Sequence, residues 1–188
     1  MRFDTTKELE TMREKRIDSK DIFDGVVLHV KSDKVLLTDG HTSVREVIRH
    51  IGAVCVIPVT DRNEAIVERQ FRYPFDEVIT EIPAGKLDSP DEDRLSAAKR
   101  ELYEETGITA DGWTELGLFY PAAAYSDECI MMYMARQLHF GERHLDEDEF
   151  LDVHRIPLAE LVEEVMKGKI QDSKTQTAIL KAARILGV

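Results

Sequence analysis

The sequence predicts an α/β fold, one of mixed α and β elements. Three observations predict it. Residues 51–60, Ile-Gly-Ala-Val-Cys-Val-Ile-Pro-Val-Thr, form an apolar run of strand length, suited to the centre of a sheet. Leu95, Ala98 and Leu102 recur at helical spacing in a stretch that Gly107 can end in a left-handed conformation. Residues 158–166 and 175–186 close the chain as amphipathic helices.

Taken in order, the first 20 or so residues read as an arm or irregular extension. Residues 25–31 and 34–38 read as a hairpin with Ser32-Asp33 at its turn, and 44–48 as another extended stretch. Pro58, near the end of the apolar run, marks a bulge or an unpaired edge. Asp61-Arg62-Asn63 is a turn, after which 65–70 returns as a strand and 77–82 leads into Pro83-Ala84-Gly85. Ser89-Pro90-Asp91-Glu92 fits a capping box with Pro90 at the first helical position. Strands are expected again at 113–119, 129–136 and 150–156. Phe23 reads as a core aromatic, with stacking on a base as the alternative; Trp113 reads as core or a lid contact.

Length and charge bound the function. At 188 residues one domain is the default, and a sizeable core can be buried. A net charge of −12 with no basic patch argues against a nucleic-acid partner. The polar N-terminus and the lack of a long apolar run point to a cytoplasmic protein without membrane spans. Cys55 and Cys129 lie far apart with no metal-type spacing, as two buried thiols in a reducing compartment would. The six His show no ligand spacing.

The chemistry concentrates at Arg100-Glu101-Leu102-Tyr103-Glu104-Glu105-Thr106-Gly107-Ile108. Glu101, Glu104 and Glu105 stand at i, i+3 and i+4, so they share a helical face and repel one another. A hard divalent cation such as Mg²⁺, with Mn²⁺ as substitute, would offset that repulsion by taking carboxylate and phosphate oxygens. Arg100 can also hold Glu104 one turn on. The alternative is a solvated acidic face.

With its flanks, this stretch resembles the Nudix box of the Nudix hydrolases: Gly, five residues, Glu, seven residues, Arg-Glu, an aliphatic, any residue, Glu-Glu, any residue, Gly, an aliphatic. Arg100 through Ile108 match without a gap, and Glu92 keeps the downstream spacing. Gly85 stands one position early, so an extra residue falls within Asp88-Ser89-Pro90-Asp91. The rest of the chain is similar to the ADP-ribose pyrophosphatase branch. The shared phrases are Arg45-Glu46-Val47-Ile48-Arg49-His50, Gly52-Ala53-Val54, Arg69-Gln70-Phe71-Arg72-Tyr73-Pro74, Glu81-Ile82-Pro83-Ala84-Gly85, Asp146-Glu147-Asp148-Glu149-Phe150 and Ile170-Gln171-Asp172-Ser173-Lys174-Thr175.

That resemblance implies a Nudix fold, a mixed β-sheet sandwiched between helices, with residues 1–50 as a β-rich extension and dimerisation arm, 51–188 as the hydrolase domain, and a homodimer. It implies metal-dependent hydrolysis of ADP-ribose to AMP and ribose 5-phosphate. Other nucleotide-sugars, GDP-mannose or UDP-glucose, and a non-catalytic nucleotide-sugar-binding module are the alternatives. Glu101, Glu105 and Glu104 would hold the metal, and the resemblance adds the Ala84 carbonyl. The equivalent loop of the family places the general base on Glu147, with Glu149 second. Arg100 and Glu104 complete the catalytic set, and Arg45, Arg72 and Glu81 are candidates for substrate contact, Arg being suited to bidentate anion binding. Ala123 and Ala124 stand where the branch carries Pro-Gly, which predicts a freer loop and relaxed substrate choice.

Overall fold

The computed structural model describes residues 5–143 and 150–188. Contacts divide the chain into two units, one of Met1–His50 with Ala122–Glu128 and one of Ile51–Pro121 with Cys129–Val188.

The first unit holds helix α1 (Thr5–Met12) and strands β1 (Lys15–Asp24), β2 (His29–Leu36) and β3 (Thr42–Arg49). The three strands form an antiparallel sheet in the order β1-β2-β3. Two expectations are corrected here. Residues 5–24 hold a helix and a strand rather than an irregular extension, and Ser32-Asp33 lies inside β2 while the turn falls at residues 25–28. The Gly25 N–H donates to the Leu28 carbonyl across that turn at 2.9 Å. Asp33 misleads because aspartate is a turn former when it is solvated. Here it is 4% exposed, accepts from Ser19 Oγ at 2.6 Å and from Arg49 Nη2 at 2.9 Å, and so tolerates a strand interior. Ser19 and the Arg49 and Arg16 guanidinium groups hold its carboxyl below the ordinary range despite the desolvation.

Residues 122–128 dock on the end of β3. The Ile48 N–H donates to the Tyr125 carbonyl at 2.8 Å, and the Asp127 N–H to the Ile48 carbonyl at 3.2 Å. The Asp127 carboxylate accepts from the His50 N–H at 2.8 Å and from Arg49 Nη1 at 2.9 Å. The Ala122 carbonyl takes the Tyr125 and Ser126 N–H groups. The loop that carries Ala123 and Ala124 is thus anchored on both sides of the pair by backbone and ion-pair bonds. Phe23 is 56% exposed on β1, not core.

The second unit contains two sheets. One has the order β7-β4-β9-β8: β4 is Ala53–Pro58, β7 Ala84–Lys86, β8 Ile108–Phe119 and β9 Ile130–Phe140. It is mixed, since β4 runs parallel to β9 and the other pairs are antiparallel. The other sheet has the order β10-β5-β6, all antiparallel, from Leu151–Pro157, Glu64–Arg72 and Glu77–Glu81. Every residue of β4 is buried. Its alternation assigns the two faces. Ala53, Cys55 and Ile57 join a core with Leu158, Leu161, Ala178, Ile179 and Ala182, from α3 (Leu158–Met166) and α4 (Ser173–Leu186). Val54 and Val56 join a second core with Ala97, Ala98 and Leu102 of α2 (Arg94–Thr106). The sheet is therefore held between helices, as the resemblance implies. Burial pushes the Cys55 thiol up to about 12, whereas Cys129 is only partly buried. Trp113 packs edge-on against Tyr133 at 6.2 Å and 78°, which fits the core reading. Among the described residues no helix is long and apolar enough to cross a membrane.

Candidate active site

The start of α2 differs from expectation. Its N-cap is Asp93, whose carboxylate accepts from the Ser96 N–H at 2.9 Å and from Ser96 Oγ at 2.8 Å. Ser89 to Glu92 is a turn ahead of the helix, with Glu92 N–H on the Ser89 carbonyl. The Glu92 carboxylate is thereby released from capping. It accepts from the Asp88 N–H and lies 3.4 Å from Arg100 Nη2, while Asp91 is exposed. The far end matches: Gly107 has φ 69°, and its N–H donates to the Tyr103 carbonyl at 2.8 Å.

Strand β7 lies against the carboxylate face of α2 along its whole length. Glu105, 5% exposed, accepts the Ala84 N–H at 3.0 Å, which locks β7 to the helix. Glu101 lies directly over Gly85, where a Cβ would run into its carboxylate. Glycine is required there for close approach, not for backbone freedom. Arg100 offsets the crowded charge. Its Nη1 donates to Glu101 at 2.7 Å and to Glu104 at 3.2 Å, and its Nη2 donates to the Lys86 carbonyl at 3.3 Å. Burial alone would lower the Arg100 pKa, but Glu101 and the neighbouring acids raise it above its ordinary value.

A second charged cluster stands at the end of β6. Glu81, with a side chain 4% exposed, accepts from Arg72 Nε at 2.5 Å and Nη2 at 2.9 Å. Lys174, from the first turn of α4, bonds the same carboxylate. Burial pushes the Glu81 carboxyl up, yet the Arg72 and Lys174 bonds outweigh it and hold it below its ordinary value. The Glu81 hydrogen bond raises the Arg72 guanidinium, and the Asp172 and Glu105 charges act in the same direction. Glu81 stands three residues before Ala84, which brings the end of β6 to the start of β7 and relates the two clusters.

The structure brings Ala84, Arg100, Glu101, Glu104 and Glu105 together, with Arg72 and Glu81 beside them. Arg45 belongs to the other unit and is held by Glu14, Nε at 2.9 Å and Nη2 at 2.5 Å. Glu147 and Glu149 lie outside the described residues. Lys174, Asp172 and Thr175 carry site contacts that sequence reading did not assign. The available signal was Asp172-x-x-Thr175, an N-cap spacing that fixes the start of a helix beside a shared phrase.

The donor set suits a hard cation, since Glu101 and Glu105 bring carboxylate oxygens against Ala84 and Gly85 of β7. Among the described residues no three His, Cys, Asp or Glu gather closely enough to hold a metal alone. A cation shared with substrate phosphates needs only one or two carboxylates.

A family model described as the NUDIX domain matches residues 49–176. The ADP-ribose pyrophosphatase of Bacillus subtilis (strain 168) is 39% identical over 173 residues, covering 91% of this chain and 93% of that protein. The methanol dehydrogenase activator of Bacillus methanolicus is 40% identical over 168 residues, covering 88% and 90%. A solved structure titled as an ADP compounds hydrolase superposes with a TM-score of 0.83 over 93% of this chain and 95% of that one. At 23% identity that likeness speaks for the fold. The chain belongs to the Nudix family. Members of that family generally use divalent metal ions.

Proposed function

We propose that this protein is a pyrophosphohydrolase that cleaves ADP-ribose to AMP and ribose 5-phosphate. The carrying observation is the convergence of Glu101 and Glu105 on Ala84-Gly85 beside an Arg72 guanidinium that an anion can reach. ADP-ribose pyrophosphatases among the relatives, those from Bacillus subtilis and Mycobacterium tuberculosis (30% identical over 167 residues) included, support the substrate.

Glu101, Glu105 and the Ala84 carbonyl would hold Mg²⁺, or Mn²⁺ in its place, with Glu104 at the margin. When bound, the cation neutralises phosphate charge and lowers the pKa of bound water. Arg100 holds Glu101 and Glu104 in place against their mutual repulsion. Arg72 and Glu81 orient the diphosphate and a ribose hydroxyl. Glu147 takes the proton of the attacking water, with Glu149 as the second choice. Residues 1–50 form the dimerisation arm of a cytoplasmic homodimer, supported by exposed Ile17, Ile22, Phe23, Val26 and Val27. Sedimentation at a monomer mass would overturn the dimer.

The test is a head-to-head comparison of kcat/KM for ADP-ribose, ADP-glucose, UDP-glucose and GDP-mannose with Mg²⁺ and Mn²⁺. ADP-ribose is expected to be cleaved best. Rapid cleavage of a guanosine or uridine sugar without cleavage of ADP-ribose overturns the substrate and leaves pyrophosphate hydrolysis standing. A second reading follows from the 40% identical methanol dehydrogenase activator: the chain raises the rate of a dehydrogenase. Adding the protein to a methanol dehydrogenase and following its turnover tests that reading, and an unchanged rate rejects it.

A further inference from the structure

Two cations share the Glu81 carboxylate, and they differ in what can reach them. The Arg72 side chain is 41% exposed, while that of Lys174 is 12% exposed. They also differ in how they are fixed. Arg72 makes its hydrogen bonds to Glu81. Lys174 bonds Glu81 and also lies 3.1 Å from the Asp172 carboxylate. Asp172 is itself immobilised, accepting from the Thr175 N–H at 2.9 Å and from Thr175 Oγ1 at 2.5 Å. Thr175 Oγ1 in turn accepts the Ile82 N–H at 3.0 Å, one residue beyond Glu81. Lys174 therefore stands in a frame built from both β6 and α4, and Arg72 approaches from solvent.

A guanidinium that already grips a carboxylate with two bonds is poorly available to a diphosphate. It can transfer only if the carboxylate it leaves keeps a counter-charge, because a buried carboxylate without one is strongly unfavourable. We infer that Lys174 is a positioning residue that keeps the Glu81 charge balanced, so that Arg72 can pass from Glu81 to the diphosphate of an incoming substrate. The inference rests on the diphosphate reading above. Lys174 does not touch the substrate in this account; it sets how readily Arg72 does.

The test uses the full chain with Lys174→Met, which removes the charge, and Lys174→Arg, which keeps it, each also made in a Glu81→Gln background. Affinity for inorganic pyrophosphate is read by calorimetry, kcat and KM for ADP-ribose by steady-state kinetics, and folding by thermal unfolding. Lys174→Met is expected to weaken pyrophosphate binding and raise KM by about tenfold or more, with kcat changed less than about threefold. Lys174→Arg restores most of the loss. In the Glu81→Gln background the same Lys174→Met change costs less than about twofold, since the Glu81 charge is gone and Asp172 keeps its Thr175 bonds.

Equal losses in both backgrounds overturn the proposal, because Lys174 then acts directly on the anion or only on the fold. A fall in kcat at unchanged KM also overturns it, as does an unchanged Lys174→Met. Should Lys174→Met not fold, the double variant with Glu81→Gln is expected to recover folding and affinity, and failure to recover rejects the idea. Wild-type protein that binds pyrophosphate but cleaves no ADP-ribose rejects the substrate reading alone and leaves the Lys174 comparison readable.

Discussion

Glu105 shows how burial changes the meaning of a charge. On an isolated helix it is one of three repelling carboxylates. In the fold it is 5% exposed and takes the Ala84 N–H. Glu105→Gln keeps an acceptor for that N–H, so the fold should survive, while the rate falls at least about a hundredfold through loss of a charged ligand. Near-normal turnover with Mg²⁺ would sink the metal assignment. Glu105→Ala should additionally destabilise by about 1 kcal/mol, because it leaves the partly buried Ala84 donor without its partner. For the base, Glu147→Gln should lower kcat by about 10² to 10⁴ at similar substrate affinity. If Glu149→Gln is the damaging change instead, the two exchange roles.

At the scale of elements, α2 is anchored by one residue at each end. Asp93→Ala should cost about 1 kcal/mol in chemical unfolding, the usual value of an N-cap, and Ser89→Ala should stay within about 0.5 kcal/mol. The reverse order would restore the capping box at Ser89. The helix body and its Gly107 end were legible in the sequence because the apolar stripe and the glycine agree. The start was not, because Ser89-Pro90-Asp91-Glu92 and Asp93 both offer capping chemistry, and tertiary pairing decides between them: Arg100 draws Glu92 away. The hairpin of β1 and β2 was misplaced for a related reason. Ser32-Asp33 has the local chemistry of a turn, and only Ser19 and Arg49, distant in sequence, neutralise Asp33 inside a strand. β4 was legible throughout because all its residues are buried. Of the site, the box residues could be read from their spacing, since one helix carries them. Lys174 could not, because it meets Glu81 only when α4 closes over the end of β6.

For the whole molecule, the buried ion networks set the response to acid. Asp33 and Glu81 both have carboxyls held below their ordinary values. Each contributes stability that is present in full above the unfolded value of about 4 and is lost as pH falls through the depressed folded value. Thermal stability should therefore be flat from neutral pH down to about 5 and drop steeply below about 4. Asp33→Asn should lower stability at pH 7 and show a shallower acid limb than the wild type. Parallel curves would reject Asp33 as a source of the acid sensitivity.

The central strand also carries a clock. The thiolate is the reacting species in alkylation, and burial pushes the Cys55 thiol up to about 12. Near neutral pH Cys55 stays in its unreactive thiol form, and it is walled off within β4. Cys129 is only partly buried. Iodoacetamide followed by mass spectrometry should therefore mark Cys129 quickly on the native protein and Cys55 only as often as the sheet opens. Two thiols of one chain then time two events, one at the surface and one at the heart of the fold, without any engineered probe.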